Sequence, residues 1–363
     1  MEKAEYNTSY FTEALLSWFG EVKSKRDLPW KNTKDPYAIW ISEIILQQTQ
    51  VKQGLSYYNK FMKTFPDVEA LATASEEEVL SCWKGLGYYS RARNLHAAAK
   101  YIQNELNGVF PNTYETLLQL KGVGPYSAAA IASFAFKESK AVVDGNVYRV
   151  LARCFAIDLD ITSGKGKKHF QQLADALIDP DKPDKFNQAI MDFGALVCKP
   201  AKPLCAECPI QIECLAFKEK SVQKYPIKKA KPKRKKRVFH FLTIKTNKGF
   251  IFSKRADDDI WKGLFELPLI ETNDEHSLEK SDWLKLFPAD VSSQIETQDI
   301  YKTAKSKQLL SHQEIIGLFY RYDKQIVATE QSILTLVQEE DLQSLPVPKI
   351  IDQFIKEVLV NQS

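Results

Sequence analysis

Four cysteines crowd into one short stretch of the chain with the spacing Cys-x6-Cys-x2-Cys-x5-Cys, formed by Cys198, Cys205, Cys208 and Cys214. Soft thiolates this close in sequence can surround one metal centre. A structural zinc site usually pairs two Cys-x2-Cys hooks, and only one is present here, whereas an all-cysteine iron–sulfur cluster also takes four thiolates. The spacing therefore predicts a metal centre and leaves zinc and an iron–sulfur cluster both open.

Glu43 is the first of two carboxylates that could do acid–base chemistry. It lies in AIWISEIILQQT, a segment that is apolar nearly all round a helix and is therefore predicted to be buried. Burial raises the pKa of a carboxyl and keeps it protonated near neutral pH, as a general acid requires. The alternative is a glutamate at the edge of the helix that reaches solvent.

Asp144 is the second carboxylate, and it stands immediately before the helical segment GNVYRVLAR. Aspartate is a preferred N-cap residue, so this position predicts that Asp144 caps the helix. Capping and catalysis are compatible, because a cap lies at the outer end of a helix, where a substrate can reach it. Two carboxylates with different pKa values suit hydrolysis of a glycosidic bond through an oxocarbenium-like state.

The segment LKGVGPYSA joins two glycines to the start of a helix. Gly122 and Gly124 let the backbone come close to a ligand, and the helix that begins at Pro125 offers free N–H groups and a positive dipole end. Such a place suits a DNA phosphate. The signal is weak by itself, since many turns between helices contain a single Gly-x-Gly.

Helices must position these residues, because residues 1–217 show helix-length apolar patterns separated by short Gly, Pro or Asn breaks. Asp35 and Pro36 open one predicted helix, Ser75 caps another, and GPYSAAAIASFAF begins a third. Residues 218–237 are dominated by Lys and Arg. They are predicted to be an interdomain linker, either a solvated tether or a strap that attracts phosphate.

The pattern changes over residues 238–363, where strands and a helix are mixed. VFHFLTIKT and FIFSKR are predicted strands joined by a hairpin turn at NKG, LFYRYD is a further strand, and VPKIIDQFIKEVLV is a closing helix. The expected fold is a mainly α N-terminal domain, a basic linker and an α+β C-terminal domain.

The composition is that of a globular protein with more than one domain. The 363 residues are 44% hydrophobic and 26% charged with a net charge of +4, which permits a nucleic acid partner without requiring one. The N-terminal segment has no apolar signal core, and no apolar run is long enough to span a membrane. We therefore expect a cytoplasmic bacterial protein that binds metal through its clustered cysteines, while Cys82 and Cys154 pack in the core.

The cysteine spacing, the loop LKGVGPYSA and the segment VVDGNVYRVLAR resemble the endonuclease III and MutY families of DNA glycosylases, and ISEIILQQTQV resembles the MutY motif. The resemblance implies a helix-hairpin-helix catalytic domain with a [4Fe-4S] cluster on the four cysteines. It also implies that Asp144 is the catalytic carboxylate and Glu43 the acid that acts on adenine. Endonuclease III-like lyases carry a lysine where this chain has Tyr126, whose phenol cannot form an imine and is expected to hydrogen-bond to Asp144.

Further segments resemble the DNA-contacting parts of the MutY family. RDLPW resembles the rim of the adenine pocket, LQQTQ the wedge that fills the space left by the base, and GLGYYSRARNL the turn whose ring enters the duplex. The implied residues are Arg26, Leu28, Trp30 and Gln188 at the pocket, Gln48 and Thr49 at the wedge, Tyr88 beside the opposing base, and Gly122 and Gly124 at a phosphate. Taken singly, Leu28, Trp30 and Tyr88 are ordinary core residue types.

The second domain contains WKGLFELP, which resembles a fragment of the Nudix fold of MutT-like domains, but no acidic metal-binding helix follows Glu266. The resemblance implies a domain that recognises 8-oxoguanine and has no pyrophosphatase activity. The corresponding loop of the family reads Phe-Ser-His. Here QLLSHQEI keeps Ser311 and His312, which implies hydrogen bonding to the base, whereas Leu310 in place of the aromatic ring leaves the stacking contact open.

The implied protein is a monomeric, monofunctional adenine DNA glycosylase of base excision repair. Its partner would be double-stranded DNA that holds adenine opposite 8-oxoguanine or guanine, away from any membrane. One alternative is a bifunctional glycosylase and lyase of the endonuclease III type, which needs an amine nucleophile. The other is a mismatch-binding protein that has lost catalysis, and the presence of both Glu43 and Asp144 argues against it.

Overall fold

A computed structural model of the chain describes residues 8–21, 28–229, 233–255, 259–276, 278–327 and 335–360. The chain forms two compact units. The first comprises Met1–Ala74 and Asn94–Ala230, and the second comprises Ser75–Arg93 and Lys231–Ser363. The second unit therefore includes a short stretch from the N-terminal part of the sequence as well as the whole C-terminal part.

The N-terminal part of the chain is helical, as the sequence predicts. Short turns of 3-10 helix at Pro29–Lys31, Cys205–Glu207, Gln211–Glu213 and Val222–Lys224 accompany the α-helices. The α-helices are α1 (Thr8–Glu21), α2 (Pro36–Leu46), α3 (Val51–Thr64), α4 (Val68–Thr73), α5 (Glu76–Cys82), α6 (Ser90–Glu105), α7 (Tyr114–Leu117), α8 (Pro125–Phe136), α9 (Gly145–Cys154), α10 (Gly164–Leu177), α11 (Pro183–Leu196) and α12 (Leu215–Lys218).

Helix α2 is the central element of the first unit, and nearly all of its side chains are buried. Asp35 caps it by accepting hydrogen bonds from the backbone N–H groups of Tyr37 and Ala38, with Pro36 at the first helical position. The helix ends at Leu46, since Gln48 takes a left-handed backbone conformation with φ of 56°. Helix α8 packs against α2, and its alanines allow the close approach.

The segment after α12 does not leave the first unit at once. Tyr225 is buried in the core of that unit, and the Arg153 guanidinium donates hydrogen bonds to the carbonyls of Val222 and Tyr225. The backbone N–H of Ile161 likewise donates to the carbonyl of Ile227. The first part of the basic stretch that the sequence marks as a linker is thus attached to folded structure, and a strand already begins at Lys235.

The C-terminal part of the chain builds two small sheets. One has the order β5-β1-β7-β6, in which β1 and β7 are parallel and the other pairs antiparallel, and in the other β3 pairs with β2, β4 and β8. The strands are β1 (Lys235–Thr243), β2 (Lys245–Thr246), β3 (Gly249–Lys254), β4 (Phe265–Glu266), β5 (Leu269–Thr272), β6 (Ile300–Leu309), β7 (Gln313–Tyr322) and β8 (Thr335–Val337).

The predicted hairpin exists in a shorter form than the sequence suggests. The turn at NKG joins β2 to β3, with Thr246 opposite Gly249, whereas the long strand before it breaks at Ile244. Strand β1 is buried on both faces and therefore pairs at the centre of the other sheet. The expectation of one continuous strand across VFHFLTIKT is wrong, because burial of β1 on both faces places it between β5 and β7.

Helices cover the first sheet of the second unit. The short helix α13 (Ala289–Ser292) follows a 3-10 segment at Lys280–Leu286, and α14 (Lys349–Phe354) continues as a π-helical turn to Val360. The Phe354 ring stacks on the Phe319 ring with their centroids 4.1 Å apart. The predicted closing helix is therefore confirmed. Among the helices in the described parts of the chain, none has the length and apolar character needed to cross a membrane.

Gly249 offers a test of the second unit, because its φ of 125° is open to few other residues. A Cβ at this position would lie 2.3 Å from the carbonyl oxygen of Val337 on the paired strand β8. We expect Gly249→Ala to destabilise the unit by about 2 kcal/mol or more, read as a lower Tm by calorimetry. The control Gly20→Ala, on α1 with open space around it, should leave the Tm unchanged or raise it; equal effects of both changes would contradict the strain argument.

Candidate active site and DNA-contact residues

A cavity of about 810 Å³ in the first unit brings the predicted catalytic residues together. Glu43 enters it from α2, Tyr126 from the first turn of α8, and Asp144 from the position before α9. Other predicted residues that line the cavity are Leu28, Trp30, Gln48, Gly124 and Gln188. Residues that stand a hundred positions apart in sequence therefore face one space.

Glu43 is buried, with 8% of its surface exposed, so the alternative of a glutamate that reaches solvent is wrong. This burial raises the pKa of the Glu43 carboxyl to about 7. A hydrogen bond with Tyr126 works in the opposite direction, and the nearby Asp144 charge adds to the rise. A carboxyl with this pKa holds its proton in a large share of molecules at neutral pH and can donate it.

Tyr126 contacts Glu43 rather than its predicted partner, Asp144. Its phenol hydrogen-bonds with Glu43, and its Oη lies 3.5 Å from Met191 Sδ. Burial raises the pKa of Tyr126 well above its ordinary value, and the charges of Glu43 and Asp144 contribute. The expected bond to Asp144 is replaced because α8 packs directly on α2, which places the phenol beside Glu43.

Asp144 caps α9, as predicted, and also faces the cavity. Its Oδ1 accepts hydrogen bonds from the backbone N–H groups of Asn146 and Val147, each at 2.8 Å, and its Oδ2 accepts from Asn146 Nδ2 at 2.9 Å. Burial raises the pKa of Asp144, whereas these bonds and the charge of Arg149 lower it. The donors suit the ionised form, so the two carboxyls of the cavity lie in different environments.

The four cysteines lie in short turns after α11, partly exposed and not joined in disulfides. Arg153 Nη1 lies 3.5 Å from Cys198 Sγ. Within the described ranges, no three His, Cys, Asp or Glu side chains converge closely enough to hold a single metal ion.

The predicted wedge and phosphate residues lie at two turns of the first unit. Gln48 is exposed in the turn after α2, with Thr49 next to it, and Gln47 Nε2 donates to Ser127 Oγ at 3.1 Å. Gly122 has a φ of 82° and is exposed, and a side chain at Gly124 would meet nothing within 4 Å. The backbone at the start of α8 is thus open to a ligand. Arg26 lies outside the described residues.

The remaining predicted contacts lie in the second unit. The Tyr88 hydroxyl and Ser311 Oγ are 3.0 Å apart and hydrogen-bonded, and the Tyr88 ring is 46% exposed. Ser311 and His312 are exposed in the turn between β6 and β7. Leu310, at the place of the family's aromatic residue, packs partly against the core of the unit. Two residues that are more than two hundred positions apart therefore form one polar pair.

Comparison with known proteins places the chain among base excision repair enzymes. Residues 41–176 match the HhH-GPD superfamily of base excision DNA repair proteins. An adenine DNA glycosylase of Buchnera aphidicola is 36% identical over 275 residues, which cover 76% of this chain and 77% of that protein. The chain belongs to the adenine DNA glycosylase family. The mouse adenine DNA glycosylase is 49% identical over 216 residues, which cover 57% of this chain and 42% of the mouse protein.

Solved structures agree with the fold of this adenine DNA glycosylase family member. A thermostable thymine-DNA glycosylase has a TM-score of 0.54 and 31% identity, and covers 58% of this chain and 97% of its own. An endonuclease III in complex with DNA has a TM-score of 0.50 and 20% identity over a similar share, which shows the fold alone. The helix-hairpin-helix architecture of the N-terminal part is thereby confirmed, and the chain is a DNA glycosylase.

Two polar contacts in this family member were not predicted from the sequence. Lys31 Nζ and Asp192 Oδ2 form an ion pair of 2.8 Å at the cavity, with both side chains nearly buried. Arg149 donates from Nη2 to the Asn146 side chain at 2.9 Å and from Nε to the carbonyl of Cys198 at 2.7 Å, which connects the cap at Asp144 to the cysteine loop. Arg149, a buried arginine of helix α9, is the sequence feature that could have indicated the second contact.

The pKa of Glu43 predicts how stability should depend on pH. The folded state holds this proton more tightly than an unfolded chain, whose glutamates titrate near about 4.3. The stability contributed by protonated Glu43 is complete below that value and is lost as pH rises through about 7. We expect Glu43→Gln to exceed the parent in stability by about 3 kcal/mol at about pH 8 and to match it at about pH 4, measured by urea unfolding.

The exposed Glu115, on α7, supplies the control Glu115→Gln, which should follow the parent at both pH values. If Glu43→Gln and the parent lose stability in parallel as the pH rises, then Glu43 is not the group that takes up the proton.

Proposed function

We propose that this chain is a monofunctional glycosylase that hydrolyses adenine from duplex DNA where the adenine lies opposite 8-oxoguanine or guanine. The observation that carries the proposal is the buried Glu43, with a pKa near neutrality, in one cavity with Asp144. Adenine DNA glycosylase is also the name of the relatives that match most of the chain. The cavity is large enough for a base, which must first leave the duplex stack to enter it.

The proposed reaction begins with Glu43. Its carboxyl gives a proton to N7 of adenine, and the bond from N9 to the sugar C1′ breaks with its electron pair passing to the base. The cation left on the sugar is stabilised by the Asp144 carboxylate, as in other glycoside hydrolyses. Water then adds to C1′ and returns a proton to Glu43, which restores the acid and leaves an abasic site. Tyr126, bonded to Glu43, orients the acid.

The absence of strand cleavage follows from Tyr126 at the place of a lyase lysine, because a lyase needs an amine that forms a Schiff base with the sugar. Three lysines line the cavity, Lys31, Lys34 and Lys185, and a bifunctional enzyme is therefore the second candidate. The Lys31 amine forms an ion pair with Asp192, with 2.8 Å between Nζ and Oδ2. Trapping with borohydride during reaction with an 8-oxoguanine:adenine duplex distinguishes the two candidates, because only an imine is reduced to a stable covalent complex.

We further propose that Cys198, Cys205, Cys208 and Cys214 hold a [4Fe-4S] cluster. Four cysteines that are not joined in disulfides lie in one loop, and an all-cysteine iron–sulfur cluster takes four thiolates. Arg153 beside Cys198 supplies a positive charge next to thiolates. Bound there, the cluster would hold the loop in shape and have no hydrolytic part.

DNA would be held at several of the sites described above. The open backbone at Gly122 and Gly124 suits a phosphate at the start of α8. Gln48 and Thr49, in the exposed turn after α2, would enter the space that the flipped adenine leaves, and Leu28, Trp30 and Gln188 would surround the base. These assignments rest on cavity lining and exposure together with the family resemblance.

The second unit would recognise the base opposite adenine as a MutT-like domain without hydrolytic activity. Guanine presents an acceptor at N7, whereas 8-oxoguanine presents an N–H there. The paired hydroxyls of Tyr88 and Ser311 include an oxygen that can accept from that N–H, and the exposed His312 lies next to them. The half-exposed Tyr88 ring is the surface on which a base would stack.

A duplex assay tests the proposed reaction. The protein should release free adenine from an 8-oxoguanine:adenine duplex, and the strand should break only after alkali. Glu43→Gln should bind the same duplex and release adenine about 100-fold more slowly or worse, because the acid is lost and the shape is kept. Glu115→Gln is the matched control, and adenine retained in the strand by the parent protein would refute the proposal.

A second assay tests the recognition of the opposing base. Tyr88→Phe and Ser311→Ala should each reduce the preference for 8-oxoguanine over guanine about three- to tenfold under single-turnover conditions, because each removes one hydroxyl. The control Tyr101→Phe, at an exposed tyrosine of α6, should keep the preference of the parent. Unchanged discrimination in both variants would place the recognition elsewhere.

A further inference from the structure

The turn that carries Tyr88 is held by a short stretch of the second unit, Ser75–Arg93, whose backbone is unusual at three positions. Gly85, Gly87 and Tyr88 have φ values of 89°, 79° and 49°. Trp83 Nε1 and Arg91 Nη2 donate to the carbonyl of Gly87 at 3.0 and 3.2 Å. The local turn fixes the direction of the Tyr88 side chain relative to its own segment, and other contacts must fix it relative to Ser311.

Those other contacts begin with an ion pair. Lys84 Nζ lies 3.1 Å from Asp352 Oδ1, on α14, and each of the two side chains is only 12% exposed. Removing either residue leaves the other buried charge with one partner fewer, because Asp352 keeps only Lys356 and Lys84 keeps the Gln343 carbonyl among the contacts described. Tyr89 follows Tyr88 in the sequence, and its hydroxyl donates a hydrogen bond to the carbonyl of Val347 at 3.1 Å. This hydrogen bond is also buried. Tyr88 therefore stands between two buried anchors.

The contacts form a closed circuit that returns to Ser311. On the same helix as Asp352, the backbone N–H of Ile350 donates to Gln308 Oε1 at 3.1 Å. Gln308 lies on β6, which leads directly into the turn that contains Ser311. The circuit runs from Lys84 to α14, from α14 to β6, from the β6 turn to Tyr88 through the hydroxyl pair, and back along the chain to Lys84.

We propose that the Lys84–Asp352 ion pair is a positioning device for the recognition of the opposing base. It sets the distance between Tyr88 and Ser311, so discrimination between 8-oxoguanine and guanine depends on two side chains that do not touch the base. The inference rests on the proposed function, in which the Tyr88 and Ser311 hydroxyls contact that base. Lys84 and Asp352 are positioning residues and have no part in bond breaking.

The chain supplies a matched control for this pair. Lys356 also binds Asp352, with 2.7 Å from Nζ to Oδ2, but its side chain is 60% exposed. It shares the acid and the charge of Lys84 and lies outside the circuit. Exposed ion pairs contribute little, so Lys356→Met removes a lysine from the same aspartate with small expected effect.

The test measures single-turnover release of adenine from two duplexes, one with 8-oxoguanine and one with guanine opposite adenine. Lys84→Met and Asp352→Asn should each reduce the preference for 8-oxoguanine about fivefold and leave release from the guanine duplex within about twofold of the parent. Lys356→Met should keep the parent preference, and Lys84→Arg, which restores the charge, should recover most of it. The guanine duplex reports on folding within each variant.

A double-mutant comparison separates positioning from a general structural effect. In a Tyr88→Phe background the hydroxyl pair no longer exists, so Lys84→Met should cause no further loss of preference. An additional, independent loss of preference would overturn the positioning role. An unchanged preference in Lys84→Met and Asp352→Asn would also overturn it when Tyr88→Phe does reduce the preference. If Tyr88→Phe and Ser311→Ala are themselves without effect, the proposed recognition fails first, and that outcome is distinguishable from failure of the ion pair alone.

Discussion

The burial of a single carboxyl, that of Glu43, is the constraint on which the first unit depends. A carboxyl has a pKa near neutrality only where water is largely excluded, so the helix that carries it must be covered on nearly every face. This requirement explains the apolar sequence of α2 and the small side chains of α8, which pack closely upon it. Tyr126, which hydrogen-bonds with Glu43, comes from that same contact.

Asp144 meets the opposite requirement within the same cavity. It remains at a helix terminus, where backbone N–H groups and the amide of Asn146 donate to it, and these donors suit a charged carboxylate. The donors described at Asp144 outnumber the one hydrogen bond of Glu43 with Tyr126. The difference accompanies position along a helix, interior for Glu43 and N-terminal for Asp144.

The sequence predicts what local pattern controls. The cap at Asp35, the start of α8 after Gly124 and the burial of Glu43 follow from residue types at short spacing, and the structure confirms all three. The family resemblance adds which residues meet in the cavity. Contacts between distant segments were not predictable from pattern, since periodicity gives a buried face and not the partner that covers it.

The wrong predictions concern contacts between segments that are distant in the sequence. Tyr126 is predicted to hydrogen-bond to Asp144, whereas packing of α8 on α2 places its phenol beside Glu43. VFHFLTIKT is predicted to be one strand of a hairpin, whereas most of it belongs to β1, which is buried on both faces and pairs with β5 and β7. No local sequence pattern indicates that Tyr88 pairs with Ser311. No local pattern indicates that Tyr225 packs in the first unit either.

The inclusion of Ser75–Arg93 in the second unit makes that unit discontinuous in the chain. A protease that cut within the basic stretch near residues 230–234 would leave this segment on the N-terminal fragment. The C-terminal fragment would then lack Lys84, Tyr88 and Tyr89, and with them a buried charge partner and half of the hydroxyl pair. The division of the chain into folded units therefore does not follow the order of residues along it. A piece expressed from residue 238 onward is not the second unit of this protein.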